Sequence, residues 1–358
     1  MKKFFIASAV IIVIALGVAV FFMGHQLVPV QKKGPGDGLL IGFSLGTLQE
    51  ERWQRDRDEF VKQANALGAV VDVESSENNV ATQVSQIEGM IVKGVNILVI
   101  APYDATSLTS VVNDAHKAGI KVISYDRLIT NTPIDLYVSF DNQKIGEYEA
   151  QSVVNALSGK LGKGKPLAIA YIGGSLTDNN AILVKQGAFK VLQPLIDKGE
   201  IKIVLDKFTP NWNPENAYKN LKAYLDASGA VDGVVAANDG TAFGSIEALH
   251  EHGLDGKVPV SGQDAEISAL QRIIAGTQAA TVYKPIVEED AAAVAAAIEL
   301  AKGEPLSATT TPVNNGVLDV PSVLLPSVEI VTKDNIADTV IKDGYYTTQE
   351  IYGSSTHS

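Results

Sequence analysis

The stretch Asn96–Arg127, NILVIAPYDATSLTSVVNDAHKAGIKVISYDR, decides the fold. Ile97–Ala101 is an unbroken apolar run, the mark of a strand covered on both faces. The residues after it repeat their apolar positions at helical spacing as far as Lys117, and Gly119 stands where a helix stops. Lys121–Tyr125 (KVISY) is a second buried strand. A strand, a helix and a strand in that order make a parallel crossover, the unit of a doubly wound α/β sheet. Asp126 and Arg127 then fall at the carboxyl end of a strand, where such sheets bind their ligands.

The same rhythm extends in both directions. Upstream of the strand at Asn96–Ala101, strands are expected at Leu39–Ser44 and Ala69–Glu74, with helices at Glu50–Leu67 and Ala81–Lys93. After Phe140 the pattern restarts. Strands are expected at Leu167–Ile172, Ile201–Leu205, Asp232–Ala236 and Val258–Ser261. Helices between them span about Gln143–Leu157, Ala181–Asp197, Pro214–Asp226 and Thr241–His252. A further strand, Ala279–Tyr283, leads into an Ala-rich helix from Ile286 to Lys302. The chain therefore reads as α/β, two doubly wound units in succession.

The bulk numbers narrow the classes open to the chain. The 358 residues suffice for two domains, and 46% hydrophobic against 20% charged residues favours a folded chain. Lys and Arg total 29 against 41 Asp and Glu, a formal charge of −12, which argues against nucleic acid as a partner. No cysteine is present, so disulfides and Cys-ligated metals are excluded. Lys2 and Lys3 precede an apolar run from Phe4 to Met23, long enough to cross a bilayer. An uncleaved membrane anchor is expected there, with the positive end in the cytoplasm and the rest outside.

The residues just beyond the strands assemble a site. Arg52 and Trp53 come after the first strand, and Asp126 and Arg127 after KVISY. Asp178 and Asn180 come after the strand at Leu167, and Trp212 after the strand at Ile201. Asn238 lies beyond the strand at Asp232, Asp264 beyond Val258–Ser261, and Lys284 beyond Ala279–Tyr283. Carboxylates and amides can bridge vicinal hydroxyls, Arg and Lys donate to sugar oxygens, and an indole offers a flat face to C–H bonds. Asp126, Asp178 and Asp264 set against Arg52, Arg127 and Lys284 approach the charge balance that a neutral polyol requires. Each Asp or Asn after a strand could equally be a helix N-cap.

Competing motifs fail. Gly159–Lys165 (GKLGKGK) runs into Pro166 where a phosphate loop needs Lys-Ser/Thr, and Gly173-Gly174 lacks dinucleotide spacing. His250 and His252, two residues apart, do not share a helix face, so neither metal nor cofactor is expected. No nucleophile–base pair is apparent, and no enzyme activity is expected.

Together these segments resemble the periplasmic D-xylose-binding proteins of bacterial ABC transporters, from about Leu39 to Gly344. The motifs that carry the resemblance are EERWQRDRDEF, SQIEGMI, YDRLI, YVSFDN, DNNA, PENA, AANDGTA, SGQDAE, AGTQ, TVYKPI and DTVIKDG. It implies a periplasmic binding protein of type I, two lobes joined by a three-segment hinge. The implied division is 1–30 anchor or signal segment, 31–38 linker, 39–140 with 285–318 as lobe 1, 141–284 with 319–350 as lobe 2, and 351–358 as tail. The crossings are expected near Ser139–Asn142, Tyr283–Pro285 and Asn314–Ser322. By the same resemblance, Arg52, Asp126 and Arg127 contact sugar from lobe 1, and Asp178, Asn180, Trp212, Asn238 and Asp264 from lobe 2. Lys284 lies at the hinge, and Trp53 stacks opposite Trp212. The implied partners are a monosaccharide such as D-xylose and an ABC permease with its ATPase, with the binding lobes monomeric. A sugar sensor signalling to a membrane kinase or chemoreceptor is the alternative. The chain departs from the family at Gly46–Gln49, where members often carry acidic residues, close to the mouth of the site.

Overall fold

Six parallel strands make the first sheet, in the order β12-β5-β4-β3-β1-β2. They are β1 (Leu40–Leu45), β2 (Val70–Ser75), β3 (Ile97–Ala101), β4 (Lys121–Tyr125), β5 (Leu136–Phe140) and β12 (Ser322–Leu325). The structure, a computed structural model, describes residues 34–353. The apolar segment 4–23 and most of the tail lie outside them. Every residue of β3 is buried, as its unbroken apolar run requires. Helices cover both faces: Ile87, Met90 and Val111 pack on one side, Phe60 and the Ala-rich helix Ile286–Ala301 on the other.

The second sheet is built around β6 (Leu167–Gly173), flanked in parallel by β7 (Ile201–Phe208) and β8 (Gly233–Ala236). Single parallel bridges at Val260 and Gln263 extend it towards β9 (Thr281–Tyr283), which pairs antiparallel with β13 (Glu329–Val331). The strand expected at Val258–Ser261 is thus reduced to one bridge. The helices Asn142–Leu157 and Asn179–Asp197 cross at two glycines: a Cβ on Gly146 would stand 1.8 Å from the Val184 carbonyl oxygen, and one on Gly187 1.9 Å from that of Gln143. Each is a close approach of backbones that only glycine permits.

Expected and observed helix ends agree to within two residues. Their caps explain why: Asn79, Asp178, Asn213 and Asn238 each accept a backbone N–H of the following first turn, and Gly94 closes its helix at φ 78°.

The chain passes between the sheets three times. It leaves the first sheet after β5 and returns to it after β9. Ser322–Leu325 adds to the first sheet beside β5, with Ser322 opposite Tyr137 and Leu325 opposite Phe140. A short hairpin of β10 (Val313–Asn314) and β11 (Asp319–Val320) precedes it. The expected change of lobe at 318/319 therefore moves to the segment between Leu325 and Glu329. No apolar run long enough to stand out marks β12, because it is an edge strand of four residues whose last two are only half-buried.

Candidate functional site

Strands of both sheets point their carboxyl ends at one another, and the loops beyond them line a shared cavity that is partly open to solvent. All ten residues picked out from sequence line it. Glu50, Asn142 and Gln263 line it as well. Each of these three lies within one of the resembling motifs, yet a lone acid or amide beside stronger candidates gives no signal of its own.

Arg52 and Trp53 come from the first turn of the helix Glu51–Ala66, which follows β1 after a loop of five residues. Arg52 is buried and reaches Asp126 Oδ2 at 2.6 Å and both oxygens of Asp56 at 2.6 and 3.0 Å. Asp126 directly follows β4 with φ 55°, a left-handed turn that an Asp tolerates and a branched residue would not. That turn aims its carboxylate inward, while its carbonyl accepts from Tyr137, Ser139 and Asn180 at 2.9, 2.7 and 3.1 Å. Burial alone would raise its pKa, but Arg52, Lys284 and Arg127 outweigh that and lower it to about 2. Asp126 is thus a fixed anion with oxygens aimed at the cavity.

From the second sheet, Asp178 is both a cap and a wall. Its Oδ1 accepts from the Asn180 backbone N–H at 2.9 Å; its Oδ2 accepts from Trp212 Nε1 at 3.1 Å and pairs with Arg127 Nε at 2.8 Å. The N-cap and binding-site readings of such residues are therefore not alternatives here. Burial, opposed by Arg127, nonetheless holds Asp178 above the usual carboxylate range. Trp212 sits at φ 55° on the short turn Pro210–Trp212, and its six-membered ring lies on Gly174, where a Cβ would come within 2.2 Å of it. Gly174, which lacks the spacing of a dinucleotide glycine, is instead the floor under an indole.

Asn238 makes a capping box with Thr241, and Gln263 donates to the Ala237 carbonyl at 2.5 Å. Asp264, at φ 94°, pairs with Lys284 at 2.9 Å, and Lys284 also approaches Asp126 at 3.8 Å. A buried Glu50 oxygen and Gln263 Oε1 have no partner in the protein, and burial holds Glu50 above the ordinary carboxylate range. Both residues line the cavity, and buried acceptors call for donors. Trp53 has the guanidinium of Arg52 at 4.3 Å and that of Arg127 at 4.9 Å from its ring.

The site thus combines three cations, several carboxylates and amides, and two indoles. It can hold an uncharged molecule rich in hydroxyls. His250 and His252 play no part, being paired with Asp255 and Asp226 on the surface. No cluster of metal-ligating side chains occurs among the described residues.

Comparison with known proteins points the same way. Residues 41–305 match the family described as periplasmic binding protein domain. The chain is 48% identical over 313 residues to the D-xylose-binding periplasmic protein of Escherichia coli K12, covering 87% of this chain and 92% of that one. It is 37% identical to a multiple sugar-binding periplasmic receptor of Rhizobium radiobacter, covering 94% and 97%. Among solved structures, a carbohydrate transporter solute-binding protein from Chloroflexus aurantiacus in complex with D-glucose superposes with a TM-score of 0.79 at 33% identity, covering 87% and 98%.

Proposed function

The chain belongs to the periplasmic binding protein family, and on that premise we propose that it captures a monosaccharide, D-xylose first among candidates, outside the cytoplasm and delivers it to an ABC transporter permease. The observation that carries this reading is the cavity itself. Its polar groups come from the carboxyl ends of strands in both sheets, so one small ligand would touch both lobes at once. A ligand that touches both lobes only when they are together shifts the population towards the closed form. The closed form then docks on the permease, whose ATPase drives uptake, and the sugar leaves unchanged.

Arg52, Asp126 and Arg127 contribute from the first lobe, Asp178, Asn180, Trp212, Asn238 and Asp264 from the second, and Lys284 from the hinge. Trp53 faces them from the first lobe. Residues 4–23 hold the protein at the membrane in this reading. The kinship with a multiple sugar-binding receptor supports a neighbouring alternative, a broader sugar range at the same site.

Calorimetric titration with xylose, ribose, arabinose, glucose and galactose tests it. Xylose is expected to bind most tightly, and Trp212→Ala to weaken it at least about tenfold without loss of fold, the scale of a lost aromatic anchor. Binding of another sugar alone would keep the receptor and overturn xylose. Silence towards all five would overturn the sugar reading.

A further inference from the structure

Four ionisable side chains stand around Arg52 without lining the cavity: Asp56 on its own helix, Tyr125 at the end of β4, and Glu289 and Asp290 on the helix Ile286–Ala301. All four are completely buried. Arg52 has five N–H donors. Nε and one Nη2 hydrogen go to Asp56, the second Nη2 hydrogen goes to Glu289 Oε2 at 3.3 Å, and one Nη1 hydrogen goes to Asp126. One Nη1 hydrogen is left for a ligand. Its direction is fixed by the partners of the other four.

Proton counting at Tyr125 adds a second constraint. Its hydroxyl oxygen lies 2.6 Å from Asp56 Oδ1 and 2.8 Å from Asp290 Oδ1. A phenol carries one proton, so it can donate to only one of them, and the other oxygen must bring a proton of its own. Both Asp56 oxygens accept from Arg52, the fork pairing of a carboxylate. The additional proton therefore belongs to Asp290.

We infer that Asp290 is a carboxylic acid in the folded protein, and that the chain of hydrogen bonds Asp290 to Tyr125 to Asp56 positions Arg52 for the sugar. Burial, and next the charge of Asp56, hold Asp290 well above the usual carboxylate range, which agrees with the geometry. The charged or titratable groups facing it are Asp56 and Arg52 from the helix Glu51–Ala66, Tyr125 from β4, and Glu289 from its own helix. An ionised Asp290 would set a second anion against Asp56 and compete for the proton of Tyr125. Asp290 and Tyr125 are positioning residues: neither touches the cavity. The inference rests on the sugar-binding reading for its effect on affinity, but the location of the proton does not.

The test has two readouts on the full chain. In infrared difference spectra, Asp290→Asn is expected to remove a protonated-carboxyl absorption present in the wild type. In xylose titrations, Asp290→Asn, which can still donate to Tyr125, is expected to bind within about twofold of wild type. Tyr125→Phe should lose about tenfold, the worth of one hydrogen bond to a charged group, and Asp290→Leu, which loses a neutral one, about fivefold. Melting curves establish that each variant is folded at the titration temperature. Tyr125→Phe keeps the ring that packs edge-on against Phe43 and Phe60, and so preserves a folded variant. Unchanged affinity in folded Tyr125→Phe and Asp290→Leu, or an unchanged spectrum in Asp290→Asn, would overturn the inference. A wild type that binds no sugar would sink the receptor reading instead, with the spectrum still deciding where the proton is.

Discussion

Asp126 combines three constraints in one residue: a left-handed backbone, a carbonyl saturated by three donors, and a carboxylate pinned by Arg52. Its pKa of about 2 in the folded chain lies below the value near 4 of an unfolded Asp. The stability it contributes, about 2 kcal/mol, is therefore fully present above pH 4 and lost as the pH falls towards 2. Asp126→Asn should be less stable than wild type at pH 6, and the gap between their melting temperatures should narrow towards pH 2. A constant gap would mean that Asp126 carries no such linkage. Ten of the thirteen cavity residues were legible because each follows a strand of recognisable pattern. Asp56, Tyr125, Glu289 and Asp290 were not, since their meaning lies in contacts between segments up to 237 positions apart. Periodicity reports which face a residue occupies and says nothing of its partner there.

At the scale of elements, the crossing of Asn142–Leu157 with Asn179–Asp197 rests on two glycines that helix propensity alone disfavours by about 1 kcal/mol each relative to Ala. Here the close contact reverses that preference. Gly146→Ala adds a methyl 1.8 Å from a carbonyl oxygen, so the helices must separate. Chemical denaturation should show a loss of about 3 kcal/mol, the scale of overpacking in a tight core. A neutral or stabilising result would mean that the two helices are free to part. Most of the long buried strands and capped helices could be placed from sequence because local chemistry specifies them, although the buried strand Leu136–Phe140 and the helix Ile267–Ala275 were not. The edge strand Ser322–Leu325 and the bridge at Val260 could not, because partners elsewhere in the chain define both.

Across the whole molecule, the two lobes also meet without an intermediary. Tyr103 donates to Asn211 Oδ1 at 2.8 Å, the Ala105 N–H donates to the Thr177 carbonyl at 2.9 Å, and Arg127 pairs with Asp178. Such contacts stabilise the closed form by a fixed amount whatever the ligand. Removing one should lower the apparent affinity for every sugar by the same factor, since only the competent fraction changes. Tyr103→Phe is expected to weaken all bound sugars two- to threefold in parallel and to raise the mean radius of gyration in small-angle scattering (on the order of 1 kcal/mol or less for one exposed hydrogen bond). A change confined to one sugar would instead place Tyr103 among the specificity residues.

Those bridges also set a background. In the proposed receptor, lobes that hold one another would close some molecules at any moment, occupied or not. Each empty closed molecule would compete with a loaded one at the transporter. Rim contacts such as Tyr103 with Asn211 would thereby trade sensitivity to scarce sugar against fuel spent when there is none.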